Sequence, residues 1–312
     1  MKHLFIVNPV AGGRKNRYKE TIKYIEEVMQ GSEENYEIYV TKAPLDACEK
    51  IKDTAKDRDE IRVYACGGDG TFNECVNGAV GLGNVSVACY PCGTGNDFIK
   101  TFGEEAKLFK DIKELAGGEI RPIDVIDCNG RYCANICSVG IDARIGTDVH
   151  KYSRIPIIGG ATGYVVSMLV NIIKGITSRL KVRTESERLD ERFALICGCN
   201  GRYYGGGFNP VPDAMPDDGT IDFLIVKEVS IFKFLGTVAK YAAGKYKEVP
   251  ELITHVAGKF MEIESDREIV VNIDGEAVCD KKITFRMIEK GVNMLFPKSM
   301  SFFKIHEAEN EV

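Results

Sequence analysis

Four short apolar runs dominate the first part of the chain: "HLFIV" (3–7), "YEIYVT" (36–41), "IRVYAC" (61–66) and "VSVACYP" (85–91). Between them lie stretches with helical spacing, "RYKETIKYIEEVM" (17–29), "PLDACEKIKDTAKD" (44–57) and "TFNECVNGAV" (71–80), and another helical stretch follows to about residue 116. Short apolar strands separated by helices require right-handed crossovers and a parallel sheet covered on both faces. Such sheets place ligands at the carboxyl ends of their strands. This pattern predicts an N-terminal three-layer α/β nucleotide-binding domain over residues 1–127.

After about residue 128 the texture changes to short, often alternating runs such as "RYCANICSVGIDA", "ERFALICGCNG", "TIDFLIVKEV" and "EIVVNIDGEAV". Alternation with frequent turn signals predicts an antiparallel, β-rich sandwich over 128–295, with helices near 161–174 and 231–243. Only "EAENEV" at the end reads as frayed. At 312 residues two domains are the natural division.

Three glycine turns fall where the α/β domain should bind. "CGGDGTFNEC" (66–75) follows a strand and opens a helix, so backbone N–H groups and the helix N-terminus converge on one point. Asp69 in its middle would repel a bare phosphate, but Mg²⁺ bridging a nucleotide's phosphates would turn that carboxylate to use. Taken alone, the loop also fits a tight turn with a solvated aspartate. "GTGND" (93–97) repeats the arrangement with Asp97, and Asn8 opens a third turn, "NPVAGGRK", where Arg14 or Lys15 could reach phosphate. Neither the Walker pattern nor the dinucleotide fingerprint occurs in these places.

Other classes are excluded or left weak. A net charge of −5 gives no general basic footprint, so nucleic acid is not an expected partner. The stretch "IPIIGGATGYVVSMLVNIIKGI" (155–176) is broken by glycines, Asn171 and Lys174, and reads as an amphipathic helix rather than a span. Eleven cysteines behind an N-terminus with no signal-peptide pattern predict free thiols in a reducing cytoplasm. "CYPC" (89–92) and "CGC" (197–199) read as structural rather than redox or metal motifs. "NIDGEA" alone reads as a hairpin turn.

"NPVAGGRK", "GGDGTFNECVNG" and "PCGTGNDFIK", in this order, resemble the lipid kinases of the superfamily that holds diacylglycerol kinases, sphingosine kinases and, more distantly, NAD kinases. The resemblance continues through "ANICSVGIDARI", "CNGRYYGGGFNPVPDAMPDDGTIDFLIV" and "VVNIDGEAV", and is nearest to the soluble bacterial diacylglycerol kinases. It implies ATP held by Asn8, by Val10, Ala11, Gly12, Gly13 and Arg14, by Thr41, by Gly67, Gly68, Asp69, Gly70, Thr71, Phe72 and Asn73, and by Thr94. Asp69 and Asp97 would lie near the Mg²⁺–phosphate region, and Glu276 would be the general base. A structural Mg²⁺ would sit on Asp218 and the carbonyls of Met215 and Thr220, with Asp217 as the competing carboxylate.

The implied activity is phosphoryl transfer from ATP to a lipid hydroxyl, diacylglycerol first, with sphingoid bases and phosphatidylglycerol as other acceptors. An NAD kinase and a non-catalytic nucleotide-binding regulator remain as rivals. The segment after about residue 296 would return to the first domain, and a homodimer is common in the family. The protein would be cytoplasmic and touch membranes peripherally, through 155–176 and Lys151, Arg154, Lys174, Arg179 and Lys181.

Overall fold

The computed structural model describes residues 1–13, 17–31, 34–57, 59–141, 143–144 and 176–310. Arg14, Lys15, Lys151, Arg154, Lys174, the expected 161–174 helix and all of the 155–176 stretch except Ile176 lie outside the described residues. The chain divides into two compact units, Met1–Ile123 with Lys290–Val312, and Asp124–Glu289.

In the first unit, strands β1 (Lys2–Val7), β2 (Asn35–Val40), β3 (Ile61–Gly67) and β4 (Val85–Pro91) pair in parallel in the order β2-β1-β3-β4. Leu4, Phe5, Ile6, Val63, Tyr64, Val87 and Ala88 are almost wholly buried, as a sheet covered on both faces demands. Helix α1 (Arg17–Met29) buries Thr21, Ile25 and Met29, spaced four apart on one stripe. Helix α2 (Asp46–Thr54) buries Ala47, Ile51 and Thr54, and α3 (Asp69–Ala79) follows β3 directly.

The helical stretch expected up to residue 116 is broken. It consists of α4 (Asp97–Lys100), a 3-10 segment Gly103–Lys110 and α5 (Ile112–Ala116). Gly103 has φ 55°, a left-handed conformation that ends an α-helix.

The C-terminal segment packs within this unit. Its strand end pairs in parallel with β4 (Asn293 with Ser86, Met294 with Val87). Phe102 meets Phe296 and Phe302 at ring separations of 5.5 and 5.1 Å. Glu105 accepts from the Ser301 amide and hydroxyl and from the Phe302 amide, at the start of the C-terminal helix Phe302–Asn310. Burial would push the Glu105 carboxyl up, but these hydrogen bonds prevail and hold it below the usual range. The helix runs on to Asn310, beyond the expected onset of fraying.

The second unit is antiparallel. Strands β5 (Glu119–Cys128) and β6 (Arg131–Cys133) form a hairpin. Beyond it, β7 (Ile136–Gly140), β8 (Ser178–Thr184), β9 (Arg188–Cys199), β10 (Ile221–Lys227), β11 (Ile253–Gly258), β12 (Phe260–Ile273) and β13 (Glu276–Phe296) follow in chain order. The sheet order is β11-β10-β9-β7-β12-β13, and β8 pairs with both β9 and β12. Alternation along β10 feeds two cores. Ile221, Phe223 and Ile225 join one with Met261, Val271 and Phe285; Leu224 and Val226 join another with Phe234 and Tyr241. The latter two lie on a helix, α6 (Ile231–Ala242), capped by the Ser230 hydroxyl, which accepts from the Lys233 amide. The separate runs read near 260–288 are two long strands joined at Asp274–Gly275. The molecule is thus α/β, with an N-terminal parallel α/β unit and a β-rich antiparallel unit.

Candidate active site

The three glycine turns stand at the carboxyl ends of β1, β3 and β4, and they are joined by side chains. Asn8, just past β1, donates from Nδ2 to Thr71 Oγ1 at 2.9 Å, and its Oδ1 accepts from the Val10 amide at 3.0 Å. One residue thereby fixes the first turn to the first helical turn of α3. The loop after β3 meets the loop after β4 backbone to backbone: Gly67 O accepts from the amides of Cys92 (2.8 Å) and Gly93 (3.0 Å). A Cβ added at Gly93 would come within 2.5 Å of Gly68 Cα, so the contact requires glycine.

Asp69 is the knot of the site. Its Oδ2 accepts from the Asn96 amide at 2.8 Å and its Oδ1 from the Asp97 amide at 2.6 Å. The amides expected to form a second anion cradle are therefore committed to this carboxylate. Asn96 sits at φ 50°, held by its own side chain donating to Gly93 O (2.8 Å). Burial and then the Asp97 carboxylate push the Asp69 carboxyl above its ordinary range, against the pull of the two amides. Asp97 is buried and pairs with Lys100 at 2.5 Å. The Asp97 carboxylate is one cause of the rise at Asp69, so the two acids repel each other; a divalent cation held by them would relieve the repulsion, and its hard-oxygen preference fits the donors.

The other expected nucleotide residues divide by exposure. Thr94 and Val10 are exposed, Thr41 is part-buried, and Gly12 has φ 73° within the 3-10 turn Ala11–Gly13. Phe72 and Asn73 are buried. The Phe72 ring packs on Phe98 at 4.8 Å and its amide donates to Gly68 O at 3.0 Å, so this residue belongs to the core under the loop.

In the second unit, Glu276 is exposed and opens β13 across a two-residue turn. Asp274 (φ 49°) and Gly275 (φ 93°) give the type I′ geometry that suits a hairpin's twist. The sequence reading passed over Asp274. Its carboxylate accepts from the amides of Ala134 (2.8 Å), Asn135 (3.0 Å) and Ile136 (3.1 Å) and from the Cys133 thiol (3.0 Å). It pins the turn that carries Glu276 to the 133–136 segment. An aspartate before glycine in a hairpin was the available signal, but its long-range partners have none.

Around "MPDDGT", Asp218 Oδ1 accepts from the Thr220 amide and hydroxyl, both at 2.9 Å. Protein atoms crowded around Asp218, together with the carboxylates of Asp222 and Asp124, push its carboxyl up although the side chain is open to solvent. Asp124, buried in β5 and unremarked in the sequence, clamps the loop: its amide donates to Pro216 O and its Oδ2 accepts from the Gly219 amide, both at 2.7 Å. Arg202 holds the near side through Ala214 O at 2.9 Å. Among the described residues no group of three or more His, Cys, Asp or Glu is placed to hold a metal. A cation here would rest on Asp218 and backbone oxygens, an all-oxygen set of the kind Mg²⁺ takes.

The thiols are structural: all eleven are free, and nine are buried. Burial pushes Cys89 of "CYPC" and Cys199 of "CGC" well above the ordinary thiol range, against any nucleophilic role. No helix among the described residues is long and apolar enough to cross a membrane. Arg179 and Lys181, expected as membrane-facing cations, instead pair with Asp190 (2.8 Å) and Asp266 (3.8 Å).

Comparison with known proteins places these features. Residues 2–128 match the diacylglycerol kinase catalytic domain, and residues 135–296 match the YegS C-terminal NAD kinase beta sandwich-like domain. A Staphylococcus haemolyticus protein provisionally named a lipid kinase is 28% identical over 81% of this chain and 82% of its own. A solved Bacillus anthracis structure titled a diacylglycerol kinase is 26% identical, with a TM-score of 0.70 over 96% of this chain and 98% of that one. Another from the same organism, provisionally named a diacylglycerol kinase, is 27% identical with a TM-score of 0.74 over 96% of each chain. The chain belongs to the diacylglycerol kinase-like family of lipid kinases.

Proposed function

We propose that the protein transfers the γ-phosphoryl group of ATP to a lipid hydroxyl, with diacylglycerol as acceptor and phosphatidic acid as product. The observation that carries this reading is the joined loop set of the first unit, where Asn8, Thr71, Gly67, Gly93 and Asp69 hold three strand ends in one fixed arrangement. Phosphoryl transfer asks little covalent work of a protein and rewards positioning and charge neutralisation.

In this reading Asn8, the Val10–Arg14 turn, Thr41, the Gly67–Asn73 segment and Thr94 bind ATP. Asp69 and Asp97 would hold Mg²⁺, which would supply positive charge to the phosphate region. Lys100 holds the Asp97 side chain in place through their ion pair. Glu276 accepts the proton of the lipid hydroxyl as the new bond to phosphorus forms, on a turn that Asp274 holds rigid. Asp218, with the carbonyls of Met215 and Thr220, holds a second, structural Mg²⁺. The acceptor lies in a membrane, so the enzyme works at its surface from the cytoplasm.

The test is incubation of pure protein with labelled ATP and Mg²⁺ against diacylglycerol, sphingosine and phosphatidylglycerol in mixed micelles, and against NAD in water. Label in phosphatidic acid, lost on chelation of Mg²⁺, is the expected result. Label in NAD alone, or ATP binding with no transfer to any acceptor, would overturn it.

A further inference from the structure

The helix α6 carries an aromatic side chain that no core explains. Its inward stripe, Phe234, Thr237 and Tyr241, is buried. Phe232 points away from that stripe and is 89% exposed, and Ile231 beside it is 44% exposed. A Phe left in water forgoes the full gain of burying its ring. Val229 and Phe234 are both buried, so the first turn of the helix is anchored on either side of the exposed pair.

The charge around this pair is one-sided. Residues 227–248 contain five lysines and two glutamates, a local excess of three positive charges on a chain whose net charge is −5. The two glutamates are engaged: Glu228 with Arg192 at 2.7 Å, Glu248 with Lys240 at 3.4 Å. Lys227 and Lys233, which bracket the apolar pair in sequence, are exposed and make no ion pair among the described residues. An apolar wedge flanked by free cations complements a surface that is anionic outside and apolar within. A bilayer containing anionic phospholipid has that profile, with the lysines at headgroup level and the ring in the acyl boundary.

We propose that Ile231 and Phe232 insert into an anionic lipid bilayer, with Lys227 and Lys233 on its headgroups, and so form the membrane foot of the sandwich unit. This deepens the lipid-kinase reading and rests on it for the presence of a membrane substrate, but the contact itself needs neither ATP nor turnover.

The chain contains no tryptophan, so Phe232→Trp installs a single reporter on a site open enough to take it. With vesicles of phosphatidylglycerol and phosphatidylcholine, its emission should shift to shorter wavelength and be quenched by lipids brominated on the acyl chain. Pure phosphatidylcholine should give a much smaller effect. In co-sedimentation without ATP, Phe232→Ser should weaken binding about tenfold or more. Lys227→Gln and Lys233→Gln should each weaken it about fivefold, a loss that high salt erases.

Vesicle binding that leaves the indole emission unmoved would place the contact elsewhere and overturn the proposal. So would absence of vesicle binding, or an emission shift that depends on protein concentration without lipid, which would assign the patch to a second copy of the chain. Phosphorylation of a short-chain, water-soluble acceptor reports separately on the kinase reading. Phe232→Ser should leave that rate unchanged. A foot that inserts while no acceptor is phosphorylated would sink the kinase reading alone, and the reverse pattern would sink the foot alone.

Discussion

Removing the Asp69 carboxylate should unfasten two loops, quite apart from any effect on turnover. Asp69→Ala leaves the amides of Asn96 and Asp97 without their acceptors. A part-buried donor that loses its partner costs about 1–2 kcal/mol, so the pair gives about 2–4 kcal/mol. Asp69→Asn keeps one acceptor oxygen and turns an NH₂ toward the other amide, so about half that loss is expected. If the loops open locally, amide exchange at Asn96 and Asp97 should accelerate by roughly 30- to 700-fold in the alanine variant. The Tm should fall by roughly 5–15 °C if that unit melts as one. The pH dependence has a definite sign. The folded carboxyl titrates above its unfolded value, so the folded state binds more protons in that window. Wild-type stability should therefore decline as pH rises from the ordinary carboxylate range to the raised folded value, and Asp69→Asn should flatten that decline. Native hydrogen exchange read by mass spectrometry, with thermal melts across pH, measures all of this. Unchanged exchange at residues 96 and 97 in Asp69→Ala, with a Tm within about 1 °C of wild type, would refute the loop-tie argument.

Four further outcomes follow from the same geometry. Glu276→Gln should leave the Tm and ATP affinity near wild type, because Glu276 is exposed, while kcat falls by about a hundredfold or more; a retained kcat with lost nucleotide affinity would remove it as the base. Asp274→Ala strips acceptors from three amides and should cost about 3 kcal/mol or more in urea unfolding, so a midpoint unmoved at constant slope would show the turn is held otherwise. Asp218→Ala should shrink the rise in Tm on Mg²⁺ titration to the part due to the Asp69–Asp97 site, and a rise as large as in wild type would dismiss the second cation. A bulky thiol reagent on native protein should modify Cys279 first, the one exposed thiol of eleven, and rapid modification of Cys89 or Cys92 would contradict their burial.

What the sequence made legible was local. The runs at 3–7, 61–66 and 85–91 lie on three parallel strands, because a strand buried on both faces reads as a largely apolar word; the run at 36–41 marks the part-exposed edge strand β2. The glycine turns were legible for a similar reason, since few structures tolerate "GGDG" between a strand and a helix. Partnership was not legible. Nothing near Asp69 indicates that its oxygens bind amides 27 and 28 residues away, nor that Asp274 serves amides about 140 residues back. Asp124 was hidden differently: one polar residue inside the apolar run "IDVI" reads as an outward position, yet it is buried and bonded to a distant loop. Long-range side-chain acceptors leave no periodic trace.

Asp69 also resolves why a carboxylate stands in a phosphate-type loop. If its only task were to meet a cation, a loop of bare amides would bind phosphate better without it, and the cation could arrive with the nucleotide. Its two hydrogen bonds supply another reason. The amides of Asn96 and Asp97 would otherwise need water or a ligand for partners, and Asn96 is held at φ 50°, a conformation costly for a residue with a side chain. The carboxylate itself satisfies those donors and sets the spacing between two strand ends. The cost is a part-buried negative charge next to Asp97; burial and the Asp97 carboxylate push the Asp69 carboxyl up. A cation that neutralises both carboxylates removes that cost, so binding and loop order should reinforce one another. On this argument Mg²⁺ should slow amide exchange at Asn96 and Asp97 in wild type and have no such effect in Asp69→Ala. Equal slowing in both proteins would separate cation binding from the loop tie and leave Asp69 a purely structural residue.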